Sequence, residues 1–437
     1  MESFRNILKK LFLYYETDNN YHFTLPENAD EGNKNPDNPA SNMLDKKLVS
    51  SILDENYNYI QIKYNSLINS DIILRKFQIV ARGKKYPALL VCIDGMVDSD
   101  LLNNYMLKPL MKLNRNIKLN SEKNSSLIKK SSKVNLEDYI YDNLIPQNSI
   151  KKSNDFKEII SAINSGNCAL FVDTVPNCFI LDVKGFSSRS ISTPANEIVV
   201  RGAQEAFVEK LRTNTSMIRR LINSENLVIE NTKVGTISKT SVAICYIKNI
   251  TSLDLVAEVK YRINNLDIDY IISSGQLEQL IQDNSKISFP QMLATERPDK
   301  AANHLFEGRV VILVNGSPYS LIVPGVFTDF LSSPEDINLK HQYSNLLRFI
   351  RILAILITLF LPGIYVAITN FHAELLPTEL LFTIASSRNS VPFPVIFEIL
   401  LMEVSFELIR EAGLRVPTPI GPTIRYYWCF SSWRSCC

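Results

Sequence analysis

One stretch limits the architecture more than any other. From Ile352 to Phe371 the chain reads ILAILITLFLPGIYVAITNF, without a charged residue. About twenty apolar residues at 1.5 Å each match the hydrocarbon thickness of a bilayer as a single helix. Most of the 437-residue chain precedes this run and is polar. The expectation is a large soluble region tied to a membrane by its C-terminal part. Lys340, Arg348 and Arg351 flank the N-terminal side of the run, and positive flanking charge favours that side as cytoplasmic. Pro362 and Gly363 lie inside it and predict a kink or a break. Lipid tolerates such a break only where other protein or a cavity satisfies the freed carbonyls, which points to a multi-helix assembly over a lone anchor.

Composition removes several alternatives. Net charge is +2, so no global basic excess argues for nucleic acid. The N-terminal apolar run LFLYY is too short for a signal-peptide core and lacks a small-residue cleavage site, which keeps the front region in the cytosol. Cys92, Cys168, Cys178 and Cys245 lie singly in apolar, strand-like runs such as LLVCID and CALFVD. Such cysteines pack as small hydrophobes in a reducing compartment, and no C-x-x-C pair suggests zinc or redox chemistry.

Along the chain the pattern predicts a two-unit α/β soluble N-terminal region followed by a helical transmembrane region that is incomplete. Residues 1–41, ending in NADEGNKNPDNPA, read as a disordered leader. The first α/β unit covers 42–155. SDIILRKFQIVARG and YPALLVCIDG are its strands, the second closed by an Asp-Gly turn, and LLNNYMLKPLMKL is a helix. Residues 112–135, rich in Lys, Asn and Ser, read as an exposed loop in preference to an RNA- or lipid-binding one.

The second α/β unit covers 156–340. DFKEIISAINSGNCALFVDT reads as helix then strand, NCFILDVKGF as a strand after a Pro176-Asn177 turn. A long helix runs from about Pro194 through Asn223. KTSVAICYIKNI and IDYIISSG are strands; SLDLVAEVKYRINN and QLEQLIQDN are helices. This alternation predicts a mixed or parallel sheet. Asn315-Gly316 between two apolar runs predicts a hairpin. Membrane helices cover 341–424. The last segment, 425–437 (RYYWCFSSWRSCC), holds both tryptophans and three of the seven cysteines. It has no helical or strand periodicity and reads as an aberrant, out-of-frame tail, with a palmitoylated tail as the alternative.

Motifs of catalysis are missing. His22, His304, His341 and His372 are far apart in sequence and belong to no metal motif, and no G-x-S-x-G, Walker A or G-x-G-x-x-G occurs. Asp94, Asp98 and Asp100 fit a turn and helix N-cap better than a divalent-ion site. The reading is non-enzymatic, with no cofactor and no metal.

Charge concentrates in three places. In ANEIVVRGAQEAFVEKLRTNTSMIRRLI, Glu197, Arg201, Glu205 and Glu209 recur every four residues, predicting a charge ladder on one helix face. ATERPDKAANHLFEGR adds Glu296, Arg297, Asp299, Glu307 and Arg309. Both clusters fit a solvated helix face or an inter-subunit or inter-domain ion-pair network. The third, VPFPVIFEILLMEVSFELIREAG, is apolar except for Glu398, Glu403 and Glu407 before Arg410. Carboxylates at mid-bilayer are costly, so they face protein or water. The segment is either an interfacial helix or a helix bordering an ion or substrate pathway.

These segments together resemble the A-subunit family of the GerA-type spore germination receptors, over roughly residues 160–424. The resemblance is carried by RGAQEAFVEKLRTNTSMIRR (201–220), FPQMLATERPD (289–299), LFEGRVVILVNGSPYSLIVP (305–324), SSPEDIN (332–338) and the apolar segments 347–388 and 391–424. It implies a subunit of a nutrient receptor in the inner membrane of a bacterial spore, with its soluble region on the cytoplasmic side. The implied partners are B and C receptor subunits, further copies of the same chain and membrane lipid. The B subunit of such receptors looks like an amino-acid transporter that binds the germinant, and the A subunit is thought to form a germinant-gated cation channel. The resemblance implies assembly contacts at Arg201, Glu205, Arg212, Glu296 and Arg297, and places Glu398 and Glu403 near a conduction path. The family continues past GPTI (421–424) into further hydrophobic helices, and here the pattern stops. A membrane-tethered scaffold that conducts nothing, or an unused truncated product, are the competing expectations.

Overall fold

A computed structural model describes residues 48–81, 84–111, 135–146, 149–185, 194, 197, 199, 202–283, 287, 289–331, 333–388 and 393–415. The expected leader 1–41, nearly all of the loop 112–135 and the tail 425–437 lie outside the described residues. The chain divides between Asn338 and Leu339 into two compact units.

The larger unit holds two five-stranded sheets. The first contains β1 (Ile72–Ala81), β2 (Lys84–Ile93), β3 (Ile150–Ser153), β4 (Cys168–Val172) and β5 (Cys178–Leu181), in the order β1-β2-β4-β5-β3. The second contains β6 (Leu227–Val234), β7 (Thr240–Ile247), β8 (Leu293–Thr295), β9 (Val310–Val314) and β10 (Ser320–Val323), in the order β6-β7-β9-β10-β8. Strand for strand, the second order repeats the first.

The repetition extends to the helices and the register. Phe156–Asn164 leads into β4, and Pro298–Phe306, of the same nine-residue length, leads into β9. Gly166 and Gly308 follow these helices with φ of 91° and 85°, the left-handed backbone that ends a helix without a Cβ penalty. In the next hairpins Thr174 (φ 69°) and Gly316 (φ 90°) occupy the equivalent turn position. Ser153 pairs with Cys178 in the first sheet as Thr295 pairs with Ser320 in the second.

Each sheet is covered on both faces. On one face of the first, Phe156, Ile159, Ile160 and Ile163, spaced as a helical stripe, pack with Tyr59 and Ile60 of the helix Leu53–Lys63 onto Leu89, Val91 and Phe171. On the other, Met106, Leu110 and Ile140 cover Leu90, Cys92 and Leu170. The second sheet is covered likewise by Leu211–Leu221 and Pro298–Phe306 on one face and by Leu253–Asn264 and Ser274–Ile281 on the other.

Four expectations need correction. Every described strand pair is antiparallel, not mixed or parallel. Two-sided burial makes β4 and β9 continuous apolar runs, a pattern otherwise typical of parallel sheets. The boundary at 155/156 falls inside the first sheet, which takes β4 and β5 from beyond it. IDYIISSG forms no ladder strand; it runs beside the β6–β7 turn, where Ile268 and Asp269 carbonyls accept from Thr236 and Ile237 N–H. The long helix from Pro194 begins only at Leu211, and the described residues among 194–210 are not helical.

The smaller unit consists of helices. His341–Phe371 is one 31-residue helix with Pro362 inside it, so the break that Pro362 and Gly363 predict does not occur. Its portion Gln342–Phe371 is long and apolar enough to cross a membrane. Thr378–Arg388 and Val395–Arg415 follow.

Candidate functional site

The charged residues of the second half close on one another around the end of β8. Arg297 sits ahead of Pro298, the first residue of its helix, with extended backbone that turns its side chain away from the helix. Its guanidinium is wholly buried and donates to Asp299 Oδ1 and Oδ2 at 3.1 and 2.7 Å, to the Glu197 carbonyl at 3.1 Å and to the Ala203 carbonyl at 2.9 Å. A planar fork of donors suits this arrangement of acceptors, and an ammonium does not. Lys300 Nζ donates to Glu197 Oε1 at 2.7 Å, and Thr295 Oγ1 donates to Glu197 Oε2. Glu296 accepts twice: its carboxylate from Glu197 N–H at 2.8 Å, its carbonyl from Phe207 N–H at 2.7 Å.

This network explains why 202–210 is extended and not helical. The four-residue spacing of Glu197, Arg201, Glu205 and Glu209 mimics a helix face, but the backbone groups are taken elsewhere. Asn214 Oδ1 accepts from Val208 N–H at 2.8 Å, its Nδ2 donates to the Val208 carbonyl at 2.6 Å, and the Glu209 carbonyl accepts from Gly316 N–H at 2.8 Å. Gly202 has φ 147°, a backbone that strains any other residue, and a Cβ there would push aside Asn338 Nδ2, 2.6 Å away.

A second network joins the two sheets. Arg219, 1% exposed, pairs with Asp71, 4% exposed, and also donates to the Ser224 carbonyl and to Asn69 Oδ1. Asn69 binds the edge of β6, with Nδ2 donating to the Leu227 carbonyl and Oδ1 accepting from Ile229 N–H. Arg212 pairs with Asp94 in the turn after β2. Burial lowers the Arg212 guanidinium pKa, and the Asp71 charge opposes that shift. Glu205 pairs with Arg220, both partly exposed.

A third contact fixes the chain after β10. Arg309 donates to both carboxylate oxygens of Asp329 and to the Pro324 carbonyl. Burial works to raise the Asp329 carboxyl, but hydrogen bonds from Arg309 and Val326 N–H and the Arg309 charge outweigh it and hold it below its ordinary value. Beside it lies a cleft of about 430 Å³ lined by Glu197, Glu278, Met292, Lys300, Asp329 and Phe330. Burial raises the Glu278 carboxyl.

The structure thus brings Glu296 and Arg297 into one network and puts Glu205 and Arg212 into ion pairs within the chain, while Arg201 lies outside the described residues. Asp98 caps its helix, accepting from Asp100 and Leu101 N–H. On Val395–Arg415, Glu398 is half-buried, Glu403 is exposed, and Glu407 pairs with Arg410. Sequence reasoning missed Asn69, Asp71, Asn214, Glu278 and Asp329. None belongs to a spacing motif, and only folding brings Asn69, Asp71, Asn214 and Asp329 to their partners and half-buries Glu278. Chemically, Asn69, Asp71, Asn214 and Asp329 hold positions, and Asp71 and Asp329 are neutralised by arginines of the same unit.

Comparison with known proteins covers both units. The family described as Bacillus/Clostridium GerA spore germination protein matches residues 58–425. Spore germination protein KA of Bacillus subtilis (strain 168) is 36% identical over 356 residues, 82% of this chain and 62% of that protein. Spore germination protein B1 of the same strain is 38% identical over 356 residues, 82% of this chain and 70% of that one. Spore germination protein A1 is 44% identical over 268 residues, 61% of this chain and 56% of its own length. The chain therefore spans between 56% and 70% of these relatives. Among solved structures, the N-terminal domain of the A subunit of the Bacillus megaterium spore germinant receptor GerK3 aligns at a TM-score of 0.45 and 32% identity, covering 64% of this chain and 97% of that one.

Proposed function

This chain belongs to the GerA spore germination protein family, and from that premise we propose that it is the A-type subunit of a nutrient receptor that triggers spore germination. The observation that carries the reading is the layout. A double-sheet unit with Arg219 and Arg297 paired within it is continuous in sequence with a helix long and apolar enough to cross a membrane. In this reading the subunit assembles with further copies and with B and C subunits in the inner spore membrane, its double-sheet unit on the cytoplasmic side. Germinant bound to a partner subunit shifts the assembly between closed and open states of a cation channel. Arg201 and Glu205 contribute assembly contacts. Arg212, Glu296 and Arg297 set the shape of the segment that carries them, and Glu398 and Glu403 border the conduction path.

Two experiments test it. Deleting the gene with its operon is expected to abolish germination on at least one nutrient; unchanged germination on every nutrient would sink the reading. Reconstitution with the partner subunits is expected to give germinant-gated cation flux, reduced by Glu403→Gln. Germinant-dependent assembly without flux would instead favour a non-conducting scaffold.

A further inference from the structure

The short helix Phe327–Leu331 presents Phe327 and Phe330 to Phe289, with ring centroids 5.3 and 5.2 Å apart. The three rings pack on one another and yet stay in solvent: Phe289 is 43% exposed, Phe327 57% and Phe330 36%, with Val326 beside them at 46%. A flexible apolar loop would fold its rings inward. This one is held out, because Asp329, between the two helix phenylalanines, is clamped by Arg309 and caps Val326 N–H. The same clamp takes the carboxylate of this helix out of water, leaving Asp329 8% exposed.

Two quantities identify the occupant. The exposed ring area is on the order of 300 Å², given side chains that bury 150–250 Å² each. A stable protein interface takes about 800 Å² from each partner, so the cluster is too small to hold a second copy by itself. The second quantity is reach. Roughly a dozen residues connect Phe330 to the start of the apolar helix, at most about 40 Å when fully extended, and the turn of helix at Pro334–Ile337 shortens that. Lys340, Arg348 and Arg351 lie at the near end of that helix, where basic side chains attract anionic head groups.

We propose that Phe289, Phe327 and Phe330 form a lipid-contacting foot that enters the head-group boundary of the bilayer crossed by Gln342–Phe371. The inference rests on reading that helix as a membrane span. The foot adds a second hold on the bilayer, in the manner of apolar side chains at a membrane interface.

Single-tryptophan reporters in the full chain test it. In a Trp428→Phe, Trp433→Phe background, Phe330→Trp, Phe327→Trp, Phe360→Trp and Tyr57→Trp variants are reconstituted singly in phosphatidylcholine–phosphatidylglycerol vesicles. The phosphatidylcholine is brominated near the head of its acyl chains. Expected is loss of emission and a blue shift for the reporters at 330 and 327, with no loss at 57. If Phe360→Trp is quenched while 330 and 327 respond no more than 57, the foot is overturned and the span stands. If 360 is also unquenched, the span reading fails and takes the foot with it. Reporters at 330 and 327 shielded from both lipid bromine and aqueous acrylamide mean that protein covers the cluster, which overturns the proposal.

Discussion

Arg219 and Asp71 meet across the junction of the two sheets through two parallel bonds, Nε to Oδ2 and Nη2 to Oδ1, each 2.9 Å. They come from opposite halves of a repeated fold, and both are almost wholly removed from water. Truncating one member of such a pair strands the other charge, which costs about 3–5 kcal/mol. Arg219→Met and Asp71→Leu should each lower the unfolding free energy from urea titrations by that order. The double variant should recover a large part of the loss, because two apolar side chains leave no orphan charge. A double variant as unstable as the sum of the singles would refute the coupling.

The Arg297 network makes a different prediction, about local order. Arg297→Lys keeps the charge but loses the fork that spans Asp299 and the Glu197 and Ala203 carbonyls, at a cost on the order of 3 kcal/mol. Hydrogen exchange at the Phe207 amide, which donates to Glu296 in this network, should quicken well before exchange at Ile312 in the centre of β9. Equal acceleration at both would mean that Arg297 stabilises the unit globally.

The repeat is testable at its glycines. Gly166→Ala and Gly308→Ala both force a Cβ into left-handed backbone, at about 1–2 kcal/mol each. At Gly308 the added Cβ would also meet the Ile250 carbonyl at 3.0 Å, which adds to the loss there. Thermal melts of the two variants measure the loss, and a negligible effect at either would contradict the assigned conformation.

Two carboxylates give opposite pH signatures. Asp329 is held below its ordinary 3.8, so its stabilisation is full above that value and is lost as pH falls through the depressed folded pKa. Asp329→Asn should therefore be destabilising at pH 7, the gap to the parent closing below 3.8. Glu278 is raised above 4.5, so its ionised form weakens the fold above the raised pKa. Glu278→Gln should stabilise at pH 7 by less than about 1 kcal/mol, since solvent screens a half-buried group, with the gain gone below 4.5. Urea midpoints across pH 3–8 read both signs.

Much of the larger unit was legible in the sequence because burial there is strong. The apolar runs of β2, β4 and β9, the Asn315-Gly316 hairpin and the Asp98 cap follow from composition and turn chemistry alone. The topology was harder to read. Missing β6, in which Glu230 and Lys233 interrupt the apolar pattern, and the three-residue β8 turned a set of hairpins into an apparent strand–helix alternation. The duplication hid for a related reason. Along β3 to β5 and β8 to β10 the shared residues are Gly166 and Gly308, Val172 and Val314, Pro176 and Pro318, Ile180 and Ile322, positions where backbone geometry or core volume leaves little choice. At the candidate site, Arg297 was visible as a charge but not as a buried hub, since nothing local indicates that Glu197 and Ala203 would present their carbonyls to it.

The clamp between Arg309 and Asp329 has a mechanical consequence. From Val323 at the end of β10, the chain passes through the clamped helix Phe327–Leu331 and then Pro334–Ile337, capped reciprocally by Ser333 and Asp336. Arg309 leads into β9 and Asp329 follows β10, so their ion pair closes the open end of that hairpin and ties the departing segment to the strand beside the one it leaves.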